Sequence, residues 1–175
     1  MKKTDAASPP PGELAFGFFR SDRPFTTVRR SGTDGWLLLY TVAGHGRFRT
    51  AGKEIITGGG DAVLIRPGVP QNYGTVPESP FWQRLWSLFQ PPAHWLEWLR
   101  WPEPEPGMMI LSVQDPLVRS RIKEALLSAV EYSGGRLRRK NDFAMNALEQ
   151  ALLQLDTINP AAAPQIDFRI NKALD

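Results

Sequence analysis

The chain has 175 residues, a formal net charge of +3 and no cysteine, so it can bury the core of one domain but offers neither disulfides nor thiolate metal ligands. No apolar run reaches the roughly 20 residues that cross a bilayer, and the basic start lacks the apolar stretch of a signal peptide. We therefore expect a soluble, cytoplasmic protein that does not contact a membrane.

Residues 1–12 are polar and rich in proline, with Pro9, Pro10 and Pro11 in succession. Such a composition cannot bury a core and favours an extended backbone close to polyproline II. From composition alone, this segment is interpreted as a disordered terminus.

Residues 14–89 predict a series of short antiparallel strands. Runs rich in β-branched and aromatic residues alternate with glycine-containing turns at Gly44–Gly46, Ala51–Gly52 and Gly58–Asp61. Turns at this close spacing are typical of an antiparallel sandwich or small barrel. The predicted strands are Leu14–Phe19, Phe25–Arg30, Trp36–Val42, Arg47–Thr50, Glu54–Thr57, Ala62–Ile65 and Phe81–Phe89.

The strand Phe81–Phe89 carries the clearest alternation, which puts Trp82, Arg84 and Trp86 on one face. An arginine between two tryptophans is unusual in a plain core. One interpretation is a structural cation–π stack. The other is the wall of a binding site, in which an indole packs on sugar C–H groups and the guanidinium meets hydroxyls or a carboxylate.

Helical periodicity follows the strands. Pro91–Trp101 predicts a short helix, and residues 115–133 predict a long one with Asp115 as its N-cap and Pro116 in its first turn. The predicted helix Asn141–Ile158 has one apolar stripe that should face the domain. It also has a second strip, which either belongs to a two-sided core or meets a partner: Phe143, Asn146, Gln150 and Leu153.

Two motifs carry a family resemblance. The unit Gly60-Asp61…Pro67-Gly68 resembles the second-motif turn of a cupin barrel, and the run AsnAlaLeuGluGln at 146–150 resembles the dimerisation helix of AraC-type transcription regulators. Over its whole length, the chain is similar to the sensor half of these regulators, close to the arabinose-responsive members. The resemblance implies a mainly β fold: a cupin-like antiparallel β-barrel (jelly roll) followed by two long antiparallel α-helices.

The resemblance also implies a domain organisation. Residues 1–12 become an arm that folds over the ligand mouth, and residues 13–158 become the sensor and dimerisation domain, with the barrel at about 14–89. Residues 159–175 become a linker and the start of a helix-turn-helix DNA-binding domain that lies beyond this chain. The implied homodimer pairs the last helix with its copy as a short antiparallel coiled coil through Phe143, Asn146, Gln150 and Leu153.

The resemblance further assigns a ligand site. Arg29 has the spacing to Gly32 and Gly35 of the arginine that contacts the sugar, and Arg30 takes that role if the register slips by one. Arg84 stands where the arabinose sensors have histidine, and a donor-only guanidinium predicts a ligand richer in acceptors than arabinose, acidic or differently hydroxylated. The full predicted set of ligand-binding residues is Arg29, Tyr73, Arg84, Trp86, Trp82 and Pro9.

Catalysis and cofactors are not indicated. The chain has two histidines, His45 and His94, and Gln71 occupies the position four residues after Pro67 where a metal-binding cupin would have one. No cupin-type metal centre can be assembled from these residues, and we expect no other cofactor.

The preferred hypothesis is a sugar-sensing, dimeric regulator domain that reaches DNA only through the domain beyond this chain. The basic cluster Arg136–Lys140 is too small a footprint for this stretch to bind nucleic acid alone. The alternatives are a metal-free cupin isomerase or epimerase acting on sugars, which needs an acid–base residue, and a structural dimer module with an empty barrel.

Overall fold

The computed structural model describes residues 14–22 and 25–162. These residues contain nine strands, a 3₁₀ turn and two α-helices. The strands are β1 (Ala15–Asp22), β2 (Thr26–Arg29), β3 (Trp36–Gly44), β4 (Gly46–Arg49), β5 (Glu54–Thr57), β6 (Asp61–Ile65), β7 (Gln71–Thr75), β8 (Phe81–Phe89) and β9 (Met108–Ser112). The 3₁₀ turn is Ala93–Trp95, and the helices are α1 (Pro116–Gly134) and α2 (Lys140–Thr157).

The strands form two sheets, and every pair of neighbouring strands is antiparallel. The five-stranded sheet has the order β1-β8-β3-β6-β9, and the four-stranded sheet has the order β2-β7-β4-β5. The inner faces of the two sheets share one buried cluster, which includes Leu39 and Val63 from the first sheet and Phe48 and Tyr73 from the second. The predicted fold class, a cupin-like antiparallel β-barrel followed by two long α-helices, is confirmed.

The two helices cover the outer face of the five-stranded sheet. Leu38 and Leu85 point to that side and share a core with Ile122 of α1 and Leu152 of α2. The strand β3 is therefore buried on both faces, which explains why its sequence at 37–40 is a continuous apolar run rather than an alternating one. This packing leaves the two sheets to form the site between their inner faces.

The start of α1 follows the predicted capping. The carboxylate Oδ1 of Asp115 accepts hydrogen bonds from the backbone N–H groups of Leu117 at 2.8 Å and Val118 at 3.4 Å, and Pro116 occupies the first turn. The Asp115 carboxylate gives partners to N–H groups that a helix end otherwise leaves unpaired, and Pro116 has no N–H that would need one. The observed bounds of α1 and α2 lie within one residue of those predicted.

The expected helix Pro91–Trp101 is not formed. The structure has a 3₁₀ turn at Ala93–Trp95 followed by turns, with backbone bonds from Trp95 to Pro92 and from Leu96 to Ala93. Prolines begin this segment and Pro102 follows it, so it can form few hydrogen bonds from residue i to residue i−4. These are too few to offset the free-energy cost of helix nucleation. Burial of Trp95, Leu99 and Trp101 fixes the segment instead.

Two strands were not expected from the sequence. The strand β7 reads QNYGT, which lacks an apolar alternation, and β9 reads MMILS after a proline-rich stretch. Met108 faces the barrel interior and Met109 faces the helices, so β9 also shows no alternation. Because β9 pairs with β6, the barrel extends past the expected limit at residue 89.

In the described part of the chain, no helix combines the length and apolar character of a membrane span.

Candidate functional site

A cavity of about 370 Å³ lies between β1 and β8 of one sheet and β2 and β7 of the other. Its size falls within the usual range for small-molecule sites. The lining contains apolar, hydroxyl and cationic side chains but no carboxylate: Phe19, Ser21, Phe25, Thr27, Arg29, Thr33, Leu37, Tyr73, Arg84, Trp86 and Leu88.

Arg29 lies at the end of β2 with its guanidinium held by neutral acceptors. Its Nη1 donates to Gln71 Oε1 at 3.0 Å and to the Tyr73 hydroxyl at 2.9 Å, and Gln71 Nε2 donates in turn to Thr33 Oγ1 at 3.1 Å. The Arg29 Nε is buried without a partner. Arg30 follows the end of the strand and is exposed, so of the two arginines it is Arg29 that borders this cavity.

Arg84 is a buried cation without a counter-ion. Its Nη1 donates to Ser21 Oγ at 2.9 Å, and its guanidinium carbon lies 4.3 Å from the ring centroid of Phe25 and 4.5 Å from that of Trp82. Burial lowers the pKa of Arg84 to about 10, partly offset by Tyr73. Neither Arg84 nor Arg29 meets a carboxylate at ion-pair distance within residues 14–22 and 25–162. The cavity therefore concentrates positive charge.

Trp86 forms an aromatic wall together with Phe19. The two rings are nearly parallel, at 9°, with centroids 6.2 Å apart. Gly17 lies opposite Trp86 in the β1–β8 register, and a Cβ at Gly17 would fall 2.3 Å from the indole Nε1. The absence of a side chain at Gly17 thus sets the position of the indole. Sequence analysis did not select Phe19, although its position two residues after Gly17 puts both on one face of the strand.

The structure places Trp82 beneath the cavity rather than in its lining. Its side chain is fully buried, and its Nε1 donates to Thr41 Oγ1 at 3.1 Å. Its ring meets Phe48 and Tyr73 edge-on and lies under the guanidinium of Arg84. Trp82 therefore contacts Arg84 from below, and its predicted role in ligand binding stays a prediction.

Of the other predicted ligand-binding residues, Arg29, Tyr73, Arg84 and Trp86 come together in the cavity, and Pro9 lies outside the described residues. Their role in binding stays a prediction. In the described ranges, no group of three or more histidine, cysteine, aspartate or glutamate side chains could hold a metal ion. The Gln71 amide, at the position discussed for a metal-binding histidine, fixes Arg29 instead.

The arrangement can hold a small polar molecule. Two arginines and a tyrosine hydroxyl offer hydrogen bonds, and the indole of Trp86, which lies two residues from Arg84 on the same face of β8, offers an apolar plane. An enclosed barrel with such a cavity, backed by two helices on the outer face of one sheet, defines a ligand-binding domain.

Comparison with known proteins gives the family. The family described as the AraC-like ligand binding domain matches residues 16–154, and the chain belongs to it. The arabinose operon regulatory protein of Escherichia coli (strain K12) is 31% identical over 156 residues, which cover 89% of this chain and 51% of that protein. The protein of the same name from Salmonella typhimurium is 30% identical over 158 residues, 89% of this chain and 53% of that protein. The chain thus spans about half the length of the regulators that it matches.

A solved structure shares the fold. ToxT from Vibrio cholerae superimposes with a TM-score of 0.51 at 6% identity, covering 88% of this chain and 61% of that one. At this identity, the likeness concerns the fold alone.

Proposed function

We propose that this domain senses a small, acceptor-rich carbohydrate and thereby controls a transcription regulator. The observation that carries the proposal is the pair Arg29 and Arg84, two cations without a carboxylate partner in the described residues, which line one cavity together with the indole of Trp86. A sugar presents C–H groups to an indole and oxygen acceptors to guanidinium groups. The domain itself carries out no catalysis in this proposal.

The charge of the cavity narrows the class of sugar. The relatives are named as arabinose operon regulators, and arabinose is neutral. Arg84 is donor-only, buried and desolvated, so an anionic oxygen gains more from it than a hydroxyl does. We therefore favour an acidic sugar, with its carboxylate on the arginines and its ring against Trp86.

A thermal-shift panel tests this proposal. Neutral pentoses and hexoses are compared with uronic acids. A ligand that binds only the native state raises the free energy of unfolding, by about 2.7 kcal/mol at a hundredfold excess over Kd, and therefore raises the melting temperature. We expect uronic acids to give the larger shift. A shift from neutral arabinose alone, retained in Arg84→Gln, would contradict the acidic class.

Calorimetry on variants then tests the site. Trp86→Ala should weaken binding by roughly 0.5–2 kcal/mol through loss of the stacking plane. Arg29→Ala should weaken it more, because the ligand oxygens that it meets stay desolvated and unpaired. Arg138→Ala, in an exposed turn before α2, is the matched control and should bind normally. If all three variants bound the ligand equally well, the ligand would not bind in this cavity.

We further propose that two copies of the domain pair through α2. Phe143, Asn146, Gln150 and Leu153 form one exposed strip, and Gln150 Nε2 donates to Asn146 Oδ1 at 3.3 Å. An antiparallel copy would bury the two apolar residues and supply amide partners that fix the register. A regulator of this kind works in the cytoplasm, with a DNA-binding domain beyond this chain, and a dimer sets the spacing of two such domains on adjacent half-sites.

A further inference from the structure

A second cavity, of about 490 Å³, lies at the end of the barrel where β2 and β4 finish and β7 begins. The turn after β6 and the turn before β9 complete its wall. Its floor is apolar and is formed by Phe48, Ile65, Val69 and Met108. Gly107 keeps this wall compact, since a Cβ there would fall 2.3 Å from Val69 Cγ2. This cavity is larger than the one in the proposed sugar site.

Three arginines and one glutamate line the second cavity. Glu105 is already engaged, because Lys53 Nζ lies 2.8 Å from its Oε1 and a hydrogen bond from Lys53 lowers the pKa of that carboxyl. Arg49 is engaged by Glu54 at 2.5 Å. Arg29 and Arg30 meet no carboxylate in the part of the chain that the structure describes. The lining thus combines an apolar floor with two cations that lack an anion.

We propose that this cavity is a second small-molecule site, which takes an amphipathic monoanion: a carboxylate carried on a compact apolar body. The carboxylate pairs with Arg30 and with the face of Arg29 that borders this cavity, and the apolar body covers Phe48, Val69 and Met108. A bare anion lacks the apolar contact, and a neutral molecule of the same shape leaves the arginines unpaired.

Arg29 makes the two cavities interdependent, since it borders both. Its Nη1 is committed to Gln71 and Tyr73, and its Nε is buried without a partner. An anion in the second cavity draws on the same guanidinium that the sugar requires. Each ligand therefore lowers the affinity for the other, and by the same factor. The second site itself does not depend on the proposed function; only this coupling does.

Calorimetry on the whole chain with three probes tests the second site. Hydrocinnamate has both the carboxylate and the apolar body, hydrocinnamamide is its neutral counterpart, and acetate lacks the body. We expect the parent to bind hydrocinnamate and neither of the others. Failure to bind hydrocinnamate, or equal binding of the amide, overturns the proposal.

Variants locate the bound probe. Arg30→Gln, at an exposed position, should weaken hydrocinnamate binding at least about tenfold, and Ala51→Trp at the exposed rim should abolish it by filling the cavity. Arg138→Gln should leave it unchanged. Unaltered binding by both Arg30→Gln and Ala51→Trp overturns the proposal. Loss in Trp86→Ala with retention in Ala51→Trp also overturns it, because the probe then occupies the first cavity. Circular dichroism confirms that each variant is folded.

Discussion

Gly17 controls the binding wall through the side chain that it lacks. In Gly17→Ala the new Cβ would meet the Trp86 indole and the Phe19 ring, at 2.3 and 2.9 Å, so the indole must tilt away from its present plane. We expect the fold to persist and sugar affinity to fall about three- to tenfold, the worth of one aromatic contact. Calorimetry measures this loss.

The control for that substitution is Gly52→Ala, in a turn where nothing lies within 4 Å of the added Cβ. It should bind sugar as the parent does. If Gly17→Ala also binds normally and the tryptophan fluorescence of the two variants is the same, the position of the indole does not depend on Gly17.

The buried charge of Arg84 should lower the stability of the unliganded protein and strengthen ligand binding. A buried cation without a counter-ion opposes folding, so Arg84→Met should raise the free energy of unfolding of the unliganded protein by about 1 kcal/mol while abolishing ligand-induced stabilisation. Urea denaturation with and without the sugar measures both effects. A variant less stable than the parent would show that the contacts with Phe25, Trp82 and Ser21 outweigh the cost of burial.

The pH dependence of this difference has a definite sign. The pKa of Arg84 in the folded protein is lowered to about 10, whereas in the unfolded chain it keeps its higher ordinary value. Below the lowered pKa, the parent carries the full cost of the buried charge. As the pH rises above it, the folded state releases the proton first, so parental stability increases relative to Arg84→Met. Denaturation at neutral pH and at a pH above that pKa should show that the difference in the free energy of unfolding between Arg84→Met and the parent becomes smaller.

At the scale of elements, Asp115 joins helix α1 to the barrel. Asp115→Ala removes the acceptor of the Leu117 and Val118 N–H groups and should lower the free energy of unfolding by about 1 kcal/mol. Chemical denaturation measures the change. Asp34→Ala is the matched control, because Asp34 is exposed and contributes only its backbone oxygen, to Gln90. An equal loss in both variants would mean that capping is not the cause.

Local pattern was sufficient wherever one physical signal dominated. Asp115 and Pro116 mark the start of α1, and the alternation of Phe81–Phe89 gave the bounds of β8 and the inward face of Arg84 and Trp86. Sequence analysis did not predict β7, because QNYGT has no apolar alternation, and it did not predict β9, because that strand is buried on both faces. The placement of Trp82 below the cavity depends on Gly46, which lies against its indole, and such a tertiary contact leaves no periodic signal.

At the scale of the whole molecule, the dimer strip makes a separate prediction. Leu153 is 40% exposed on α2, and Leu153→Arg would bring a desolvated charge into the helix pair. We expect a folded monomer where the parent is a concentration-dependent dimer, as measured by analytical ultracentrifugation. The control is Leu117→Arg, at an exposed leucine of α1 outside the strip, which should remain dimeric. A monomeric parent at high concentration, or a dimeric Leu153→Arg, would exclude this helix from the interface.

The late position of β9 in the chain has a consequence for biosynthesis. The strand β6 keeps one open edge until Met108–Ser112 pairs with it, although β1 and β8 are already available to close the other side of the sheet. At about 5–20 residues per second, the ribosome needs roughly one to five seconds to pass from the end of β8 to the end of β9. During that interval, the nascent barrel presents an unpaired apolar edge, the kind of surface that aggregates or binds chaperones.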